Sequence, residues 1–136
     1  MKEYYREHLD IWANLLHHVE EYLKTAPRHQ LNNPDWKNKC DFSNGVYVVY
    51  ENDEMIYVGE SSNVKKRVRR LNRSHGLYKK VGPKLFTDSA YTIVFVQLPL
   101  GRKEIEEELI RKHSPKYNTS GKKSYRQLYK NKNRKS

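Results

Sequence analysis

The sequence predicts an α+β domain, a small three-stranded antiparallel sheet flanked by helices with an extra helix at the N-terminus. Three observations carry this. Apolar residues recur at three- and four-residue spacing over residues 3–24. Two strand-like runs at 46–50 and 55–58 are split by the polar Glu51-Asn52-Asp53-Glu54, a hairpin signal. A β-branched and aromatic run at 91–98 is closed by Pro99 and Gly101.

Taken in order, Leu9, Trp12, Leu16, Val19 and Leu23 form the apolar stripe of the first helix, which stops at Pro27. Residues 28–43, with Asn32-Asn33-Pro34-Asp35, have the turn chemistry of a loop. The hairpin follows, with strands over 45–50 and 55–59. Ser61-Ser62-Asn63 then offers an N-cap for a basic helix from 64 to about 72. Residues 74–89 read as a short helix and a loop through Gly82-Pro83. After the strand at 91–98 comes a helix over 103–113, stopped before Pro115. Helix, hairpin, helix, strand, helix and tail thus make one domain. Its parts are an N-terminal extension over 1–40, a core over 41–118 and a basic tail over 119–136.

Composition bears on partners rather than on fold. Lys and Arg outnumber Asp and Glu 27 to 16 in 136 residues, a net charge of +11, and polyanions are the natural counterpart. A membrane partner is not expected, since no apolar run approaches the roughly 20 residues of a span. Residues 1–10 are polar, without the apolar core of a signal peptide, and one cysteine makes no intrachain disulfide. An intracellular, cytoplasmic setting is the expectation.

Four features carry chemistry. Gly45-Val46-Tyr47 is followed, nine residues on, by Tyr57-Val58-Gly59. Tyr47 and Tyr57 are ten positions apart, so across a hairpin they share a face only when the turn is odd in length. A three-residue turn at Glu51-Asn52-Asp53 would set them opposite each other, in the left-handed conformation that Asn and Asp tolerate. By itself such a pair is ordinary packing. Second, at about 100° per residue Val64, Val68 and Leu71 form a narrow apolar stripe. Of the six basic residues between Lys65 and Arg73, Arg67 lies closest to that stripe and should run along the sheet. Third, Ile105, Leu109 and Ile110 span an arc of roughly 140°, and Glu106 falls inside it while Glu104, Glu107 and Glu108 fall outside. A carboxylate on an apolar face needs a cation, a metal or several donors. Fourth, Ser114-Pro115-Lys116-Tyr117-Asn118 closes the helix and turns the chain, a common setting for a capping Asn.

Gly-Val-Tyr, Tyr-Val-Gly, an Arg eight residues after the second motif's Gly, a helical Glu and Pro-Lys-Tyr-Asn occur in that order over residues 45–118. As a set they resemble the GIY-YIG nuclease family. The spacing is most like that of the nuclease domain of the bacterial excision-repair incision subunit, and Lys122-Lys123-Ser124-Tyr125 adds to the likeness. Two positions depart from the family pattern. Leu71 stands four residues after the Arg, where many members carry a His, and His75 lies off that spacing. Glu60 stands where repair-type members often have a Lys.

The resemblance implies a metal-dependent endonuclease acting on DNA, with a nuclease core over 41–118. Tyr47, Tyr57, Arg67, Glu106 and Asn118 take the functional positions, and Gly45 and Gly59 are the motif glycines. Glu106 would hold one divalent ion, Mg²⁺ with Mn²⁺ as the alternative. Arg67 would contact the scissile phosphate. Tyr47 would be the general base or a base relay, its pKa depressed by Arg67 and the metal, with Tyr57 orienting water or phosphate and Asn118 holding the loop or the Tyr in place. Lys65, Lys66, Arg69, Arg70 and Arg73, with Lys122, Lys123 and Arg126 in the tail, would grip the DNA backbone. His17, His18, His29 and Cys40 read as surface and loop residues rather than metal ligands. Two other readings stand beside this one: a non-catalytic nucleic-acid-binding module, and a nuclease acting on branched DNA or RNA.

Overall fold

The computed structural model describes residues 2–71 and 75–118, with side chains from residue 11 onward. Arg73 of the basic helix and Lys122, Lys123 and Arg126 of the tail lie outside the described residues. In chain order the elements are α1 (Lys2–Thr25), β1 (His29–Gln30), β2 (Gly45–Glu51), β3 (Glu54–Ser61), α2 (Val64–Val68), α3 (Gly76–Val81), β4 (Tyr91–Gln97) and α4 (Arg102–His113). Short 3₁₀ turns at Pro34–Asn38 and Pro83–Phe86 complete the list.

The expected antiparallel sheet is present, with one strand more than the sequence predicts. Its order is β1-β4-β2-β3. The added strand comes from the stretch expected to be loop: His29 and Gln30 pair with Ile93 and Thr92 of β4. Two residues are too few to leave a periodic signal. The strand is held by a further bond from Leu31 N–H to the Tyr91 carbonyl at 3.1 Å. In the same stretch Asn33 caps the 3₁₀ turn, its side chain accepting from Asp35 N–H at 3.0 Å. This turn buries Trp36, and Leu31 and Cys40 beside it are also buried. Cys40 is therefore a core residue, not the surface residue expected.

Strand alternation sends β2 side chains to two separate cores. Val46, Val48 and Tyr50 join Val94, Val96 and Leu98 of β4 under α1 and α4, which contribute Val19, Leu23, Ile105, Leu109 and Ile110. Tyr47 and Val49 join Ile93 and Phe95 on the opposite face, covered by Val64, Val68, Leu71, Leu77, Val81 and Leu85. Burying each aliphatic side chain contributes about 1.5–3 kcal/mol, so the central strand is the most firmly held element. Helix α1 is fastened to α4 by Glu20, which pairs with Lys112 at 2.8 Å and His113 at 3.1 Å. Its ring of Trp12 lies over Gly101, where an added Cβ would come within 2.6 Å of that ring.

The hairpin reaches the predicted outcome by a different route. Glu51 pairs with Glu54, so the turn is the two residues Asn52 and Asp53, with Asn52 at φ 55°. The odd residue is supplied by a β-bulge, since Val49 pairs with Tyr57 and Tyr50 with Met55, leaving Ile56 extra. Ile56 and Tyr57 both pack on the Tyr47 face, while Met55 and Val58 pack on the other. The two tyrosines share a face but are not directly opposite: Tyr47 pairs with Gly59.

Candidate active site

The glycines of the two motifs are explained by what crosses them. The Tyr47 ring lies over Gly59 on the adjacent strand, and an added Cβ there would stand 2.6 Å from its Cε1 and nearer still to its hydroxyl end. A Cβ at Gly45 would collide with the Val96 carbonyl and come within 2.8 Å of Phe42 Cε2. With the space above Gly59 filled by its ring, Tyr47 is 1% exposed. Tyr57 is half-buried beside it, ring centroids 6.0 Å apart and tilted by 36°. The Tyr47 hydroxyl donates to the Tyr57 hydroxyl oxygen and accepts from the Arg67 guanidinium.

Arg67 is delivered by α2, which begins at the predicted cap. The Asn63 side chain accepts from Lys66 N–H at 3.1 Å, and Ser61 Oγ accepts from Asn63 N–H at 2.9 Å. Val64, Val68 and Leu71 are buried as their spacing requires. The helix is shorter than expected. After Val68 the chain tightens into i to i+3 bonds, Arg70 N–H to the Arg67 carbonyl and Leu71 N–H to that of Val68, each 3.0 Å. Lys65, Lys66, Arg69 and Arg70 are exposed around this turn, and Arg67 is exposed as well.

Glu106 arrives from the other side of the sheet. On α4 its neighbours Ile105, Leu109 and Ile110 are buried, and Glu106 itself is half-buried. Its carboxylate accepts from the backbone N–H of Glu60, on the outer edge of β3. Burial, reinforced by the Glu60 and Glu107 carboxylates, pushes its pKa up to about 7, with Arg67 opposing. The Glu60 carboxylate is itself bound by Arg102 Nε at 2.9 Å, and Arg102 Nη1 donates to Asn44 Oδ1 at 3.3 Å.

Asn118 closes the same strand. Its Oδ1 accepts from Val58 N–H and its Nδ2 donates to the Val58 carbonyl, both at 2.9 Å. One residue earlier, Tyr117 N–H donates to the Ile56 carbonyl at 2.9 Å. Ile56, Val58 and Glu60 alternate along β3, and their outward backbone groups are taken up by Tyr117, Asn118 and Glu106 in turn.

Two influences on the Tyr47 phenol oppose each other. Arg67 does favour the Tyr47 phenolate, but burial outweighs it, and the neighbouring Tyr57 adds to the same effect. Burial thus holds the Tyr47 pKa above its ordinary value. Burial also raises Tyr57, while the hydrogen bond received from Tyr47 and the charge of Arg67 act the other way. Of the histidines, His17 and His18 are exposed on α1 and His29 stacks on Phe95 at 5.8 Å. His75, set aside by its spacing, stands against Tyr57 with ring centroids 5.6 Å apart.

The donor set suits a single hard cation. No group of three or more His, Cys, Asp or Glu side chains suited to a metal occurs among the described residues. Glu106 is instead one partly desolvated carboxylate whose ionisation two further carboxylates oppose. A divalent ion that keeps several waters can be held by one such ligand.

Comparison with known proteins agrees with this geometry. Residues 43–119 match the family model of the UvrC-like GIY-YIG domain. The chain is 33% identical over 75 residues to the UvrABC system protein C of Finegoldia magna, covering 54% of this chain and 12% of that protein. It is 37% identical over 82 residues to the UvrABC system protein C of Fusobacterium nucleatum, covering 56% of this chain and 13% of that protein. These alignments span about an eighth of the length of the two relatives, and the family-model match includes every residue from Gly45 to Asn118 described above. The chain belongs to the GIY-YIG nuclease family, with a domain of the UvrC-like kind.

Proposed function

We propose that this domain is a metal-dependent endonuclease that hydrolyses phosphodiester bonds in DNA. The observation that carries the reading is the meeting of Glu106, Arg67 and the Tyr47–Tyr57 pair at one end of β3. Binding alone has no use for a half-buried carboxylate beside an arginine and two linked phenols, which speaks against a non-catalytic module.

Glu106 is the residue that would hold the divalent ion, whose Lewis acidity would polarise a phosphate oxygen and ease departure of the alkoxide. Arg67 presents the planar fork that suits phosphate oxygens and balances charge gathering on them. The burial of Tyr47 moves the role of base to Tyr57. Tyr57 first gives up its phenol proton to solvent, and the phenolate is stabilised by the hydrogen bond from Tyr47 and by the charge of Arg67. It then takes the proton of the attacking water as the water oxygen bonds to phosphorus and the leaving oxygen departs. Asn118 keeps β3, and with it Tyr57, in register. Lys65, Lys66, Arg69 and Arg70 form a surface on which the DNA backbone would lie.

The test is incubation of supercoiled plasmid with Mg²⁺, Mn²⁺ or EDTA, followed by a panel of linear, nicked and branched DNA and RNA. The account expects nicking with either ion and none in EDTA. Cleavage in EDTA, or tight DNA binding with no cleavage under any condition, would overturn it.

A further inference from the structure

His75 sits where the nuclease pattern assigns nothing, yet two contacts fix its ring. It is the residue before α3, and its Nδ1 accepts from Leu77 N–H at 3.0 Å, which leaves the ring proton on Nε2. The same ring meets Tyr57 of β3 in a T-shaped contact, centroids 5.6 Å apart and interplanar angle 81°. Aromatic pairs prefer this arrangement, in which the edge of one ring meets the face of the other. Resting on the nuclease reading, we propose that His75 is a positioning residue for Tyr57: its neutral imidazole, locked as the cap of α3, holds the phenol in line with Tyr47 and Arg67, so the site assembles when His75 is unprotonated.

The surroundings favour that state. Burial first, then the charges of Arg67 on α2 and Lys80 on α3, hold the His75 pKa below its usual 6.5. Lys80 is anchored close by, donating to the Tyr117 carbonyl at 2.9 Å. Among the described residues, Tyr57 meets the His75 ring with Tyr47 behind it, and Tyr78 and Tyr117 pack on the same face. Protonation at Nδ1 has two consequences. The nitrogen can no longer accept from Leu77 N–H, so the first turn of α3 loses its cap, and a third positive charge appears beside Arg67 and Lys80. Because the folded pKa is depressed, the stability His75 contributes is present above about pH 6.5 and is lost as pH falls through the folded value.

The test uses the full chain and His75→Asn, because Asn is a good helix cap that neither titrates nor offers a ring. Thermal melts of both should agree within a few degrees. With Mg²⁺ saturating, the variant should lose about tenfold in kcat with KM within about twofold, the mark of misplacement rather than lost binding. Activity falls with pH in both proteins through Tyr57 and Glu106, and the wild type should show an additional steepening below pH 6.5 that the variant lacks. Nuclear magnetic resonance supplies a readout independent of cleavage. Above pH 6.5 the imidazole should carry its proton on Nε2, and the Tyr57 ring signals should move with the His75 midpoint and be flat in the variant. Wild-type kcat and pH profile in His75→Asn, or Tyr57 signals indifferent to His75, would overturn the inference. Coupled signals in a protein that cleaves nothing would support the His75–Tyr57 linkage and overturn the nuclease reading instead.

Discussion

At one edge of the sheet stands β1, two residues long, and at the other stands β3, eight residues long. An edge strand exposes a row of unpaired backbone groups that a protein must cover, shorten or interrupt. The β1 edge is dealt with by brevity, since the chain leaves it directly for the 3₁₀ turn that buries Trp36. The β3 edge is covered instead, and the groups that cover it include two residues of the proposed site: the Asn118 amide on Val58 and the Glu106 carboxylate on Glu60 N–H. The difference teaches how an antiparallel sheet with helices on both faces can carry chemistry. The faces are filled with apolar side chains, so the reactive groups gather where the backbone itself supplies donors and acceptors. The bulge at Ile56 belongs to the same design, because it turns Tyr57 onto the face of Tyr47 just where that edge is open.

Substitutions at the two edges should therefore differ sharply in effect. Glu106→Ala should be the most severe, lowering Mg²⁺-dependent nicking by about 10³-fold or more, as expected if it is the proposed ligand of the metal that is removed. DNA affinity in a gel shift should be retained or slightly improved, because a negative charge leaves the phosphate-facing surface. Melting temperature should hold or rise, since a carboxylate whose ionisation burial opposes has been removed. Tyr57→Phe should cost about 10²–10⁴-fold, the usual range for a lost general base. With Tyr57 raised by burial, the wild-type rate should climb with pH through the neutral and mildly alkaline range, and this dependence should flatten in the variant. A pH–rate profile that keeps its slope in Tyr57→Phe would return the role of base to another group.

Asn118→Ala comes next. It removes two hydrogen bonds from the β3 edge, which should lower stability by about 1–2 kcal/mol. Cleavage should fall about ten- to a hundredfold with DNA affinity unchanged, since among the described residues the amide bonds to Val58 backbone. At the opposite edge Gln30→Ala should change neither stability nor cleavage by more than about half a kcal/mol or twofold, as for surface positions generally. Comparable losses at the two edges would dissolve the contrast between them.

Much of this arrangement is legible in the residues, and the gaps have physical causes. Periodicity located β2, β3, β4, α1 and α4, and the wheel placed Glu106 inside the apolar arc of α4, because burial writes a regular pattern into long elements, whereas Arg67 lies beside the short stripe of α2 and is exposed. The face shared by Tyr47 and Tyr57 followed from parity alone. Parity cannot say whether the odd residue lies in the turn or in the strand, and here it is Ile56. Strand β1 is below the length at which alternation is measurable. Spacing from Arg67 also hid His75. The contact with Tyr57 depends on where α3 packs after the intervening chain, and no local signal in the sequence carries that. The depth at which Tyr47 is buried is hidden from the sequence for a related reason. The arginine was visible in the sequence, but the depth of burial that outweighs it depends on Gly59 lying opposite across the hairpin.

The measurement that bears most directly on the role of the β3 edge is amide hydrogen exchange at Val58 and Glu60 in the wild type, Asn118→Ala and Glu106→Ala. Both amides point off the sheet, so protection comes from the covering side chains rather than from a neighbouring strand. The account predicts that Asn118→Ala speeds exchange at Val58 and spares Glu60, while Glu106→Ala speeds exchange at Glu60 and spares Val58. Amides that exchange at the same rate in all three proteins would contradict it, since the site residues would then not be what closes that edge.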